Sequence, residues 1–118
     1  MHYMLLIYAS EAEWGSASPE TQAQVMRQHD ALESDLRAKG QYKGCGALGS
    51  TATAVIVRAR EGEPIVTDGP FAETREQLGG YYLVEASDLD EAVAIAARIP
   101  RVGNACVEVR ALHDVRLS

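Results

Sequence analysis

The chain has 118 residues, which is enough for one domain with a single hydrophobic core. Its formal net charge is −6, and its few Lys and Arg residues are scattered, which argues against nucleic-acid binding because phosphate contacts need clustered basic side chains. The longest apolar run, residues 4–9, is far shorter than the ~20 residues that span a bilayer, and nothing at the amino terminus resembles a signal peptide.

The first half of the chain is predicted to contain a strand and a long helix. Residues 2–9 are apolar at nearly every position, which indicates a strand covered on both faces. Residues 10–18 are interpreted as a polar loop. Ser18, Pro19 and Glu20 then form a strong helix start, with a hydroxyl N-cap, proline at the first helical position and an acid in the first turn. The helix is expected to end near Lys39, before Gly40.

One face of this helix carries an unusual residue. Val25, His29, Leu32 and Leu36 follow the spacing i, i+4, i+7, i+11 and so lie on one stripe. The charged side chains of the helix mostly lie elsewhere. We therefore predict that His29 points towards the interior together with the apolar residues.

The second half is predicted to be mostly strands. The sequence predicts a hairpin turn at Glu61-Gly62-Glu63. It predicts a loop at residues 68–78, with at most one helical turn at 72–77. A second helix is predicted to start with the capping pair Asp88 and Glu91 and to end near Pro100. The predicted strands are 41–48, 51–60, 64–67, 80–86 and 105–112.

The order of these elements indicates the fold class. A β-α-β unit, a hairpin and a second β-α-β unit fit an α+β sandwich of ferredoxin-like type with an inserted β-hairpin, formed by residues 1–118 as a single domain. Two helices cover only one face of such a sheet, yet the first strand and Tyr81-Tyr82-Leu83-Val84 offer apolar side chains to both faces. An open face of this kind is a large apolar patch. We expect a homodimer to cover it, with a monomer as the alternative.

The run from Val66 to Thr74 contains the second unusual residue. Asp68 ends a predicted strand and is followed by Gly69, which permits a positive φ, and by Pro70, which fixes its own φ. A carboxylate is thus placed at a rigid corner. The alternative interpretation is that Asp68 only caps the turn by bonding the backbone two residues on.

The residues Thr67 to Leu83, with the run TDGPFAETREQLGGYYL, resemble the signature of the DGPF proteins of the YCII-related family. Residues 1–8 and 99–112 are similar as well, and Arg75 stands where a lysine is usual. The resemblance implies a dimeric α/β-barrel of ferredoxin-like subunits and an active site that pairs a helix histidine with the motif aspartate, here His29 and Asp68. Relatives include a dehydrochlorinase acting on a chlorinated hydroxyhydroquinone. Some DGPF proteins are encoded near extracytoplasmic-function sigma factors.

A His–Asp pair has a clear chemical use. An unperturbed imidazole titrates near pH 6.5, and a carboxylate on one ring nitrogen orients the ring so that the other can act as a general base. No nucleophile is evident, so proton abstraction or elimination on a small acidic molecule fits best. Thr67, Phe71, Glu73, Tyr81 and Tyr82 are the candidate ligand-binding residues, although capping or packing roles are also open for them.

Several alternatives remain beside this enzyme hypothesis. The same pocket could serve a non-catalytic ligand-binding or regulatory module, or the pair could be structural in a dimeric scaffold. Cys45, in a glycine-rich bend, is interpreted as a small apolar residue, and both cysteines as free thiols of a reducing, cytoplasmic compartment. The sequence predicts no metal, because it has no H-x-x-x-H pattern. It predicts no cofactor either, because the G-x-G-x-x-G match at 44–49 lacks the following helix.

Overall fold

The computed structural model describes residues 1–113, which form an α+β arrangement. Within them lie six strands and three helices, in the order β1 (His2–Ala9), α1 (Glu11–Ser16), α2 (Pro19–Ala38), β2 (Tyr42–Ala47), β3 (Val55–Arg60), β4 (Glu63–Asp68), β5 (Gln77–Glu85), α3 (Leu89–Ala97) and β6 (Cys106–Ala111). The strands form a four-stranded sheet of order β2-β5-β1-β6 and a two-stranded sheet of β3 and β4, all antiparallel. The predicted α+β class is thus confirmed, and the arrangement is compatible with a ferredoxin-like fold.

Helix α2 forms where the sequence predicts it. The Ser18 side chain accepts a hydrogen bond from the Thr21 N–H, Pro19 is the first helical residue, and Gly40 follows the helix with φ +70°. At α3 the Asp88 carboxylate accepts from the Glu91 N–H at 2.8 Å. Both predicted helix starts are therefore confirmed, because each is specified by local capping chemistry.

The core lies between one face of the four-stranded sheet and helices α2 and α3. Leu5, Leu36 and Val84 are its largest fully buried side chains, joined by Tyr82 and Ile95 among others. The opposite face of the sheet presents Met4, Leu6 and Leu83, which are only half-buried. The helices of the chain therefore cover one sheet face and leave the other open.

Local structure departs from the sequence predictions at three places. Residues 11–16, expected in a loop, form α1, because the Ser10 side chain caps it by accepting from the Glu13 N–H. The predicted strand 51–60 begins instead with a 3₁₀ turn at Thr51–Thr53, which Ser50 caps. The possible helical turn at 72–77 is wrong, since this segment is non-helical and β5 already begins at Gln77.

The two-stranded sheet is a hairpin that projects from the body of the domain. Its two-residue turn, Glu61-Gly62, has positive φ at both positions, as the right-handed strand twist favours. Nearly every residue of β3 and β4 is exposed. The Cα radius of gyration, 16.3 Å, accordingly exceeds the about 13.5 Å expected for a compact chain of this length.

Candidate functional site

A cleft of about 720 Å³ opens at the end of the four-stranded sheet. The ends of β1, β2 and β5 form its floor, and α1, α2 and the loop between α3 and β6 form its walls. Most of the lining is apolar or aromatic, including Trp14, Val25, Met26, Leu48 and Tyr81. A concave, mainly apolar cavity of this size with a few polar groups is typical of a small-molecule site.

His29 is the titratable group that stands out in the cleft. It lies on α2, half-buried between the buried residues Val25 and Leu32, as its position on the apolar stripe predicts. Its Nδ1 atom lies 2.6 Å from the hydroxyl oxygen of Tyr82. The two rings are stacked with 18° between their planes and 5.8 Å between their centroids. Tyr82 is itself only 3% exposed, so packing holds the orientation of both rings.

Burial determines the protonation of this pair. Desolvation lowers the pKa of His29, while the negative charge of Asp30 opposes that shift. Desolvation also raises the pKa of Tyr82 above its ordinary value. Both groups are therefore neutral at pH 7. Nδ1 and the Tyr82 hydroxyl share one hydrogen bond, and the tautomer of the ring determines which of the two donates.

Three further polar side chains continue the site along α2 and β2. Cys45 donates to Glu33 Oε1 at 3.4 Å, and Tyr42 donates to Cys45 Sγ at 3.2 Å. The bond from Cys45 lowers the pKa of Glu33, and the bond to Cys45 raises the pKa of Tyr42 to about 12. Cys45 is thus an exposed thiol in a hydrogen-bond network, and its interpretation as an apolar residue of the strand is wrong.

The structure brings together only some of the residues that the sequence analysis names. Tyr81 and Tyr82 both border the cleft, but consecutive strand residues point to opposite sheet faces, so only Tyr82 shares the face of His29. Tyr81 lies over Gly46, where an added Cβ would come 2.8 Å from its ring. Thr67, Asp68, Phe71 and Glu73 are exposed on β4 and the loop that follows, outside the cleft lining. Within residues 1–113 no hydrogen bond joins His29 to Asp68.

Asp68 lies at the base of the hairpin. It pairs with Val55 across the two strands, and the next N–H, that of Gly69, donates to the Ala54 carbonyl at 2.8 Å. Gly69 does not have the positive φ that the sequence analysis allowed for. Its lack of a side chain matters because an added Cβ would come 3.1 Å from Ala54. The 3₁₀ turn before β3 (Thr51–Thr53) is held by Glu11, a residue of the cleft wall. The Glu11 carboxylate accepts from the Thr51 N–H at 2.8 Å.

Two residues of the cleft were not found by sequence reasoning. Trp14 lies on α1, and Ser10 with Glu13 three residues later was the capping signal that could have revealed this helix. Arg101 lies in the loop before β6, where no periodic pattern indicates its neighbours. Within residues 1–113, no group of three His, Cys, Asp or Glu side chains is placed to hold a metal ion. None of the helices there has the length and apolar character to cross a membrane.

Comparison with known proteins identifies the family. The sequence model of the YCII-related domain matches residues 1–116. The chain belongs to the YCII-related family. An uncharacterized protein of Rhizobium meliloti is 40% identical to this YCII-related protein over 96 residues, which cover 81% of the present chain and 77% of the relative. The relative's name states no reaction, so the function has to be argued from the cleft.

Proposed function

We propose that this YCII-related protein binds a small molecule in the cleft and that His29 exchanges a proton with it. The observation that carries the proposal is a half-buried, neutral imidazole in a mainly apolar cleft, held by the Tyr82 hydroxyl at 2.6 Å. Imidazole is the side chain best suited to proton transfer near neutral pH, and apolar surroundings keep it in the uncharged, basic form.

The proposal assigns different roles to Tyr82 and Asp68. In the tautomer that carries its hydrogen on Nδ1, His29 donates to the Tyr82 oxygen and keeps Nε2 free to accept a proton. Tyr82 thus orients the ring but adds no charge to stabilise the imidazolium. We assign that second task to Asp68 in the ligand-bound state, because a carboxylate beside the protonated ring stabilises it. The attachment of the hairpin base to the cleft mouth through Thr51 and Glu11 supports this assignment.

The test uses ligand C–H exchange as a direct measure of base catalysis. Small carbonyl acids that bind the cleft are incubated with the protein in heavy water, and the replacement of their acidic C–H by deuterium is followed by NMR. We expect His29→Gln to lower this rate at least 100-fold, the usual contribution of a general base, and Asp68→Asn to lower it less. Arg27→Gln, an exposed change on the same helix, serves as the control. A full exchange rate in His29→Gln contradicts the proposal.

A second candidate function is ligand binding without chemistry, as in a regulatory module. The neutral phenol at Nδ1 favours it, because a catalytic histidine is usually oriented by a carboxylate. In that case, bound ligands show no deuterium exchange above the rate in buffer, while His29→Gln weakens their binding. The same experiment therefore separates the two functions.

We further propose that the protein acts as a homodimer. The open sheet face carries Met4, Leu6 and Leu83, with Glu108 and Arg110 beside them on β6, and one face of the hairpin carries Val55, Val57 and Val66, all exposed. Isolated two-stranded hairpins are only marginally stable in water, and contiguous apolar surfaces usually mark interaction sites. A second copy of the chain that covers both surfaces would remove this exposed apolar area.

A further inference from the structure

Arg101 is the one Lys or Arg among the described residues that line the cleft. One of its guanidinium nitrogens donates to the Ala96 carbonyl at 3.3 Å, which ties the side chain to the last turn of α3. It forms no ion pair with a carboxylate in residues 1–113. This wall of the cleft therefore carries a positive charge that no carboxylate of residues 1–113 pairs with, and the guanidinium keeps further N–H donors for a ligand.

The acidic residues of the cleft do not neutralise this charge. Glu11 accepts from the Thr51 N–H and hydroxyl at 2.8 and 3.1 Å, and Glu33 pairs with Arg37 at 3.4 Å. Asp30 follows His29 in the chain, and its charge acts on the imidazole. An anionic group in the cleft is therefore repelled from the His29 side and attracted to the Arg101 side, which fixes the orientation of a charged ligand.

The wall that carries Arg101 is held in place by α1. The Glu13 carboxylate accepts from the Asn104 N–H at 3.2 Å and occupies the space beside Gly103. Gln22 donates to the Trp14 carbonyl at 2.8 Å and joins α1 to α2. Trp14 and Arg101 therefore lie on walls that hydrogen bonds connect, and such pre-organisation reduces the entropic cost of binding a ligand.

We propose that the ligand of the cleft is a small aromatic acid bound as its anion. Its carboxylate binds the guanidinium of Arg101, a group whose planar fork matches a carboxylate with two hydrogen bonds. Its ring packs on Trp14, and its other end reaches His29. The inference rests on the proposed function and specifies the ligand class for the same site.

The test compares phenylacetate with phenylacetamide, a probe of similar size without the charge. Trp14 is the only tryptophan of the chain, so its indole N–H gives a single, assignable NMR signal from the cleft wall. Titration is followed at this signal. We expect phenylacetate to bind at least tenfold more tightly than phenylacetamide, since a hydrogen bond to a charged group typically changes affinity by tenfold or more. Arg101→Gln should bring the two affinities within about twofold.

Two further variants control for folding and for overall charge. Arg101→Lys keeps the positive charge and should keep a reduced preference for phenylacetate, whereas Arg27→Gln removes an exposed charge outside the cleft and should leave the preference unchanged. Equal affinities in the unmodified protein, or a full preference in Arg101→Gln, would overturn the anion assignment while leaving cleft binding intact. If neither probe moves the indole signal, both the anion assignment and the cleft-binding proposal are rejected.

Discussion

The Tyr82 hydroxyl is the residue-scale feature that distinguishes this site from the expected His–Asp pair. A neutral hydrogen bond in a buried setting contributes about 1 kcal/mol to folding. We therefore expect Tyr82→Phe to lower the free energy of unfolding by about 1 kcal/mol, measured by urea denaturation. Tyr81→Phe is the matched control, because the Tyr81 hydroxyl makes no hydrogen bond in residues 1–113, and its effect should stay within about 0.5 kcal/mol. Equal losses in the two variants would speak against the bond.

The lowered pKa of His29 leads to a prediction on pH. In the unfolded chain the imidazole takes up a proton near pH 6.5, whereas the folded protein resists protonation until a lower pH. The unfolded state binds more protons in that window, so stability falls as the pH drops below about 6.5. His29→Gln should flatten this part of the profile, measured by urea denaturation from pH 8 to 5.

Carboxylates also make folding stability depend on pH, but at lower pH than His29 does, so the two effects can be separated. Hydrogen bonds from Arg98 and from the amino terminus lower the pKa values of Asp35 and Glu85. Their stabilisation is present above the unfolded carboxyl pKa of about 4 and is lost only as the pH falls through the folded values. A decline between pH 6.5 and 5 that persists in His29→Gln would therefore contradict the assignment to the imidazole.

At the scale of elements, α1 shows where sequence patterns are too short to be decisive. Its six residues span fewer than two turns, so no apolar period can distinguish it from a loop. Its Ser10 cap is supplemented by tertiary contacts: Gln22 donates to the Trp14 carbonyl, and Glu13 accepts from Asn104 in the loop before β6. Helix α2, in contrast, is long enough that its apolar stripe and its capping residues independently indicate the same helix. Its bounds were therefore predicted nearly to the residue.

The loop before β6 gives an element-scale prediction. Gly103 has φ +63°, and an added Cβ would clash with the Glu13 carboxylate. We expect Gly103→Ala to cost at least ~1 kcal/mol of stability and to shift the indole signal of Trp14, because Glu13 must move. Gly49→Ala is the control, since no atom lies within 4 Å of its added Cβ. Urea denaturation and the NMR spectrum test both effects, and an unchanged indole signal in Gly103→Ala would contradict the coupling.

At the scale of the whole molecule, the projecting hairpin is the feature that the contacts within one chain do not explain. Val57 is 63% exposed on its apolar face. If a second copy covers this face, Val57→Lys should shift the protein from dimer to monomer in sedimentation velocity, because burying an unpaired ammonium is strongly unfavourable. Val93→Lys, at a valine of α3 that is 48% exposed, should leave the dimer unchanged. A monomeric unmodified protein would contradict the homodimer.

The sequence by itself determined the α+β class, the long capped helix, the inward position of His29 and the hairpin turn at Glu61-Gly62. These follow from caps, apolar period and turn chemistry, which act between residues a few positions apart. Only the tertiary structure decided that His29 meets Tyr82, 53 positions away, and that Trp14 and Arg101 line the same cleft. Such encounters depend on strand order, register and the packing of α1, and no local pattern encodes them.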